Sequence, residues 1–205
     1  MQLIKRQLSA ELYAAAQELP IVAILGPRQS GKSTLAKASF PDHTYISLEN
    51  LDNRQFAEND PNGFLAQYRS GAIFDEIQRV PSLFSYLQTE VDEDGTPGRF
   101  ILTGSHQFSL VKGITQTLAG RISLLRLLPL SLGELKSKHS LPELDELLIK
   151  GLYPRIHHQN IRSDRWLDGY IETYVEKDIR GLKNIGDLSK FITSSRCLLP
   201  AVANF

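Results

Sequence analysis

Two short stretches of this chain hold residue types whose spacing could do chemistry. The first is Gly-Pro-Arg-Gln-Ser-Gly-Lys-Ser, residues 26–33, with an apolar run before it and helix-compatible residues after it. In this pattern consecutive backbone N–H groups and a helix start converge on the oxygens of a phosphate chain. Gly26 and Gly31 take turn conformations that side chains resist and let the backbone come close to phosphate. Pro27, Arg28, Gln29 and Ser30 form the loop between them, and Thr34 follows as part of the same nucleotide cradle. Lys32 can set a compact positive charge against the β- and γ-phosphates of a nucleotide. The Ser33 hydroxyl can take one position on an octahedral Mg²⁺.

The second stretch is Gly-Ala-Ile-Phe-Asp-Glu, residues 71–76, an apolar run that stops in two carboxylates. A strand ending this way puts Asp75 and Glu76 at its C-terminal edge, where open α/β sheets bind ligands. Asp75 suits an acid that organises Mg²⁺ through water, and Glu76 a base that orients an attacking water. Adjacent acids after a strand are often only a solvated strand end; the phosphate-type loop upstream favours the chemical reading. A further strand, residues 99–103, runs into Gly104, Ser105 and His106. Thr103 and Ser105 there are small polar groups that could sense a γ-phosphate or the lytic water, or simply cap the next segment. Arg121 has two readings, a charge-stabilising arginine reaching phosphates in its own or a neighbouring subunit, or a salt bridge tying helix to sheet.

Positioning these residues requires alternating strands and helices. Apolar residues at helical spacing predict a helix over 3–19, ahead of Pro20. Strands are expected at 21–25, 43–48, 71–75, 99–103 and 122–128. Helices are expected at 33–39, 54–58, 63–69, 81–91 and 114–119, and residues 92–98 read as an acidic loop. Residues 129–134 close this α/β part. From Lys136 the composition turns polar and then helical, over 142–150, stopped by Gly151, and from Ser163 as N-cap to about Leu182. Trp166, Tyr170 and Tyr174 lie on an apolar stripe of that last helix, a packing pattern. His157 and His158 read as loop residues, not as a metal site.

Composition narrows the class. The chain has 205 residues, 41% of them hydrophobic and 22% charged, which is ordinary for a folded domain. Lys+Arg 23 and Asp+Glu 23 cancel, so no global field draws it to nucleic acid or an anionic membrane. The single Cys197 excludes an internal disulfide and a cysteine-rich zinc site. No run is long enough to span a membrane and the N-terminus lacks a signal-peptide core, so the expected location is cytoplasmic.

The segments GPRQSGKSTLAK, IFDEIQRVPSLF, GRFILTGSHQF, LAGRISLLRLLPLSLGEL, GLYPR and YIETYVEKDIRGL together resemble the prokaryotic AAA-type ATP-binding proteins with an uncharacterised C-terminal domain. The resemblance runs from the N-terminus to about Phe191. It implies a P-loop NTPase three-layer α/β sandwich with a parallel sheet of order 5-1-4-3-2, ATP and Mg²⁺ as cofactors, and Ser105 as a sensor between Lys32 and Glu76. It divides the chain into an ATPase domain, residues 1–135, and a partial helical domain, residues 140–205. Such proteins continue well past this point, so the chain reads as a truncated member with a frayed apolar tail prone to self-association. The expected function is Mg²⁺-dependent ATP binding and hydrolysis. A nucleotide-gated module for a protein or DNA partner, and an inactive remnant, are the alternatives. ATP is favoured over GTP because no Asn-Lys-x-Asp guanine-reading motif occurs, and Asp75-Glu76-Ile77-Gln78 is not Asp-x-x-Gly.

Overall fold

Both faces of the first strand are apolar, and that dictates the layering. In β1 (Ile21–Gly26) every residue is buried, as in a parallel strand covered by helices on both sides. Alternate side chains enter opposite layers. Ile21, Ala23 and Leu25 share one core with Phe64, Leu83 and Leu87, whereas Val22 and Ile24 share the other with Leu12, Ala15, Leu35 and Ala36. The computed structural model describes residues 3–105, 117–137, 143–159 and 161–175. These belong to two compact units, Lys5–Leu128, and Pro129 onward together with Ile4.

In the first unit the order is α1 (Leu8–Glu18), β1, α2 (Lys32–Ser39), β2 (Thr44–Ser47), α3 (Leu51–Asn59), α4 (Pro61–Ala66), β3 (Ala72–Asp75), a 3₁₀ turn (Ile77–Arg79), α5 (Leu83–Glu93), β4 (Phe100–Ser105) and β5 (Ile122–Arg126). The strands are parallel and ordered β2-β3-β4-β1-β5, the order that the family resemblance implies. Residues of α1 and α2 supply one core and residues of α3, α4 and α5 the other, which gives a three-layer sandwich. The register sets the site. Gly26 lies opposite Ser105, and Phe74 lies opposite Leu102, which brings Asp75 level with Thr103. The C-terminal ends of β1, β4 and β3 therefore stand side by side.

The largest side chains of the first core meet around Phe74. Its ring centroid is 5.5 Å from Phe64, 5.6 Å from Tyr68 and 5.7 Å from Phe100, and Phe74 is fully buried. Phe74→Ala is expected to cost about 3–5 kcal/mol, from lost transfer energy plus the cavity left behind. Urea titration would show this as a lower midpoint at an unchanged slope.

Several expectations shift here. The first helix begins at Leu8, not at residue 3, because Arg6 turns inward: its guanidinium donates to the carbonyls of Ser30 at 2.7 Å and Leu128 at 2.6 Å. Helix α5 continues to Glu93, so Asp92 and Glu93 are helical and the acidic loop is shorter. Strand β5 stops at Arg126 because its partner β1 turns into the loop at Gly26, with one further bond from Leu127 N to Leu25 O. The expected helix at 114–119 lies mostly outside the described residues.

The second unit contains α6 (Leu132–Lys136), α7 (Leu144–Lys150), α8 (Pro154–Gln159) and α9 (Ser163–Tyr170), the last widening into a π-helical turn (Ile171–Val175). Leu130, Leu135 and Leu147 form its core with Ile4 and Leu152 against them. Ser131 and Glu134 make a reciprocal capping box on α6. Trp166 and Tyr170 stack and Tyr153 packs tilted against both, with centroids 4.9–5.0 Å apart. Residues 129–134, expected to close the α/β domain, belong to this unit. His157 and His158 sit on α8 rather than in a loop, and His157 Nε2 lies 2.7 Å from the carbonyl of Gly151. The N-cap of α9 is Arg162, and Ser163 is the first helical residue. The part of its expected run from residue 176 to Leu182, and the tail with Cys197, fall outside the described residues. Among the described residues no helix is long and apolar enough to cross a membrane, and no cluster of His, Cys, Asp or Glu could hold a metal by itself.

Candidate functional site

The loop after β1 is shaped by its glycines. A Cβ on Gly26 would come within 2.0 Å of the Leu127 carbonyl oxygen, so only glycine lets the chain leave the sheet beside the end of β5. Gln29 at φ 60° and Gly31 at φ 94° then turn the backbone back. Gly31 is the N-cap of α2, and no side chain caps that helix. The first N–H groups of α2 therefore have no side-chain acceptor, and an uncapped helix start favours an anion. Lys32, the first helical residue, is only 4% exposed. Its ammonium donates to the carbonyls of Gly26 at 3.1 Å and Pro27 at 2.9 Å. Burial pushes its pKa below the ordinary lysine value; Glu76 and Asp75 oppose that shift, and Arg28 adds to it. A desolvated cation held on neutral carbonyls is poised for an anion. Ser30 is fully buried, and its hydroxyl has no hydrogen-bond partner.

The acids come from the end of β3. Asp75 accepts on Oδ1 from Ser33 Oγ at 2.6 Å and from Thr103 Oγ1, and on Oδ2 from the Tyr45 hydroxyl at 2.8 Å. Burial, and then the bond to Asp75, push the Tyr45 phenol above its ordinary pKa. It is therefore a donor at any physiological pH. Glu76 departs from the strand with φ 58° and ψ 46°, a left-handed conformation that costs a non-glycine residue about 1–3 kcal/mol. Its N–H donates to Thr103 Oγ1 at 3.4 Å. The Glu76 carboxylate accepts through Oε2 from Gln78 Nε2, which also donates to Ser105 Oγ at 3.1 Å.

Lys32, Ser33, Asp75, Glu76 and Ser105 are thus brought together on the C-terminal edge of three adjacent strands. Pro27, Arg28, Gln29 and Ser30 form the loop above them, and Thr34 is exposed in the first turn of α2. Two residues take other roles. Thr103 is fully buried and spends its hydroxyl on Asp75 and the Glu76 amide, so it holds the acids and does not face a nucleotide. Arg121 lies at the opposite edge of the sheet: its carbonyl accepts from Ile21 N, at the start of β1, about 16 Å from the strand's far end at ~3.3 Å per residue. It forms a two-pronged ion pair with Asp92, at 2.5 and 2.9 Å, that links the start of β5 to α5. The expectation that Arg121 reaches phosphates in its own subunit is corrected by this register. Tyr45, Gln78 and Arg6 were not singled out in the sequence. Nothing in the local pattern marks Tyr45 or Arg6, whose partners are 30 and 24 residues away, whereas Gln78 sits two positions after Glu76 in a segment that carried the family resemblance.

A phosphate-type loop, a strand-end acid pair and this strand order define a P-loop NTPase fold of the AAA type. Residues 18–136 match the AAA domain family, and the chain belongs to it; residues 141–204 match a domain of unknown function. An uncharacterized protein of Mycobacterium tuberculosis and one of Mycobacterium bovis are each 34% identical to this chain over 187 residues, 89% of this chain and 41% of theirs. The chain thus spans less than half the length of those curated relatives. Among solved structures, the Walker-type ATPase of Pyrococcus abyssi aligns with a TM-score of 0.57 at 16% identity, over 88% of this chain and 76% of that one, a likeness of fold.

Proposed function

We propose that the first unit binds Mg-ATP and hydrolyses it to ADP and phosphate. The observation that carries this reading is Lys32: a buried ammonium on carbonyl partners, at an uncapped helix start, beside two strand-end carboxylates. A triphosphate would replace weak neutral partners with charged ones, and the buried Ser30 hydroxyl would gain an acceptor. The donor set also fits Mg²⁺, because Ser33 Oγ and Asp75 Oδ1 are hard oxygens already 2.6 Å apart. Ser33 would ligate the ion directly and Asp75 through water. Bound there, Mg²⁺ would neutralise charge on the phosphate oxygens.

In this reading Glu76 takes a proton from water as the water oxygen attacks the γ-phosphorus, and the β–γ bridging oxygen leaves with ADP. Ser105, beside Gly26 in the sheet, donates to the γ-phosphate. Gly26, Pro27, Arg28, Gln29, Ser30, Gly31 and Thr34 enclose the phosphates. Calorimetry and a phosphate-release assay, each with ATP and GTP, test the proposal. The expected result is Mg²⁺-dependent binding and steady release with ATP, and weaker binding of GTP. Tight binding without release would instead identify a nucleotide-gated module.

A further inference from the structure

Glu76 does not hold its own orientation. It follows a strand end in a left-handed conformation, on a half-buried side chain with three rotatable bonds. A carboxylate with that freedom spends little time aimed at one water. What restrains it is Gln78, whose Nε2 donates to Glu76 Oε2 and at 3.1 Å to Ser105 Oγ. The amide can face only this way round, because reversal would set its oxygen against a carboxylate oxygen with no proton between them. The direction of the restraint matters. Ser105 ends β4 opposite Gly26, and Gly26 gives its carbonyl to Lys32. The amide therefore draws Glu76 from the β3 end toward β4 and the phosphate loop, leaving Glu76 Oε1 for a proton. Gln78 Oε1 is buried and accepts no hydrogen bond from the protein. An apolar side chain of the same length would avoid that desolvation cost, so the amide is not explained by packing.

We propose that Gln78 is the positioning residue for Glu76, bridging it to Ser105 so that the base and the γ-phosphate donor share one amide. This rests on the reading of Glu76 as the base. A hydrogen bond to a charged group is worth enough that its loss should slow the chemical step about tenfold. Gln78→Met, which keeps length and removes the amide, is expected to lower kcat about tenfold, with KM for Mg-ATP and affinity for Mg-ADP within about twofold of wild type. It should also weaken binding of Mg-ADP with aluminium fluoride by a similar factor, a readout independent of turnover. The double variant Gln78→Met with Glu76→Gln should be no slower than Glu76→Gln alone, since a residue that acts through Glu76 has nothing left to act on. Gln78→Glu, equal in size but lacking the donor, covers the case in which the methionine variant does not fold, and is expected to be at least as slow. Wild-type kcat in either folded variant, or equal losses with and without Glu76→Gln, would overturn the proposal while leaving the base reading intact. If Glu76→Gln itself turns over at the wild-type rate, the base reading falls and this proposal falls with it.

Discussion

Lys32→Ala is expected to reduce Mg-ATP affinity about a hundredfold or more while leaving the fold in place. The size follows from what the ammonium does in each state. Without nucleotide it sits buried, hydrogen-bonded to the carbonyls of Gly26 and Pro27, and burial lowers its pKa, so the folded protein tolerates its charge rather than gaining from it. With a triphosphate present, the same ammonium meets oxygens of opposite charge in a low-dielectric site, and charge-assisted bonds of that kind are about twice as strong as neutral ones. Losing about 3 kcal/mol of differential interaction corresponds to the stated affinity loss. The same reasoning predicts a small stability change, about 1 kcal/mol or less, because removal of a desolvated charge offsets the two lost carbonyl bonds. Calorimetry with Mg-ATP and a thermal melt measure the two effects separately. Wild-type affinity in the variant would remove the phosphate-loop assignment. A collapsed melt with lost binding would mean that Lys32 holds the loop rather than the ligand.

That lysine was legible because its chemistry is local. Gly26, Gly31, Lys32 and Ser33 fall within one run of eight residues, so their joint placement needs only a strand, a turn and a helix, each with its own signal in the sequence. Asp75 and Glu76 were legible for a related reason: a short apolar run that stops in charge reads as a strand leaving a sheet, and the phosphate-type loop upstream gives its acids a chemical reading. The layering was equally open to reading, since Ile21 to Leu25 are apolar throughout and must be covered on both faces.

What the sequence concealed lies in pairings between distant residues. Tyr45 reaches Asp75 because Ser47 lies opposite Asp75 in the sheet, a register no local pattern encodes. Arg6 breaks the helix expected from residue 3 because two carbonyls, at Ser30 and Leu128, offer it better partners than solvent does. Thr103 and Ser105, two residues apart on β4, read as equivalent polar groups at a strand end. The sheet separates them: Thr103 is spent on Asp75 and the Glu76 amide, and Ser105 meets Gln78 beside the phosphate loop. Arg121 takes the structural one of its two readings, an ion pair with Asp92 that ties α5 to the start of β5. An arginine after a glycine at a strand start is at the wrong end of a parallel sheet to meet a ligand at its C-terminal edge, and the parallel register of β1 and β5 makes that unavoidable.

Glu76→Gln should keep Mg-ATP binding within a few-fold of wild type and slow turnover about a hundredfold or more, the usual cost of losing a general base. The substitution preserves length and leaves the backbone φ of 58° no harder to adopt. It removes the acceptor for the water's proton while leaving Lys32, Ser33 and Asp75 unchanged. A hundredfold is about 2.7 kcal/mol of lost transition-state stabilisation, to be read in kcat with little movement in KM, because in the proposed mechanism Glu76 acts on the attacking water and not on the bound nucleotide. One local rearrangement is expected. Gln78 Nε2 now faces an amide, and it can still donate to the new side chain's oxygen, so the link to Ser105 survives and the defect isolates the lost base. Asp75 cannot take over, since its two oxygens already accept from Ser33, Thr103 and Tyr45, and those donors fix its carboxylate. Single-turnover phosphate release with the variant in excess over ATP separates the chemical step from product release. A chemical step as fast as wild type would show that Glu76 is not the base and would leave the unit as a nucleotide-binding module.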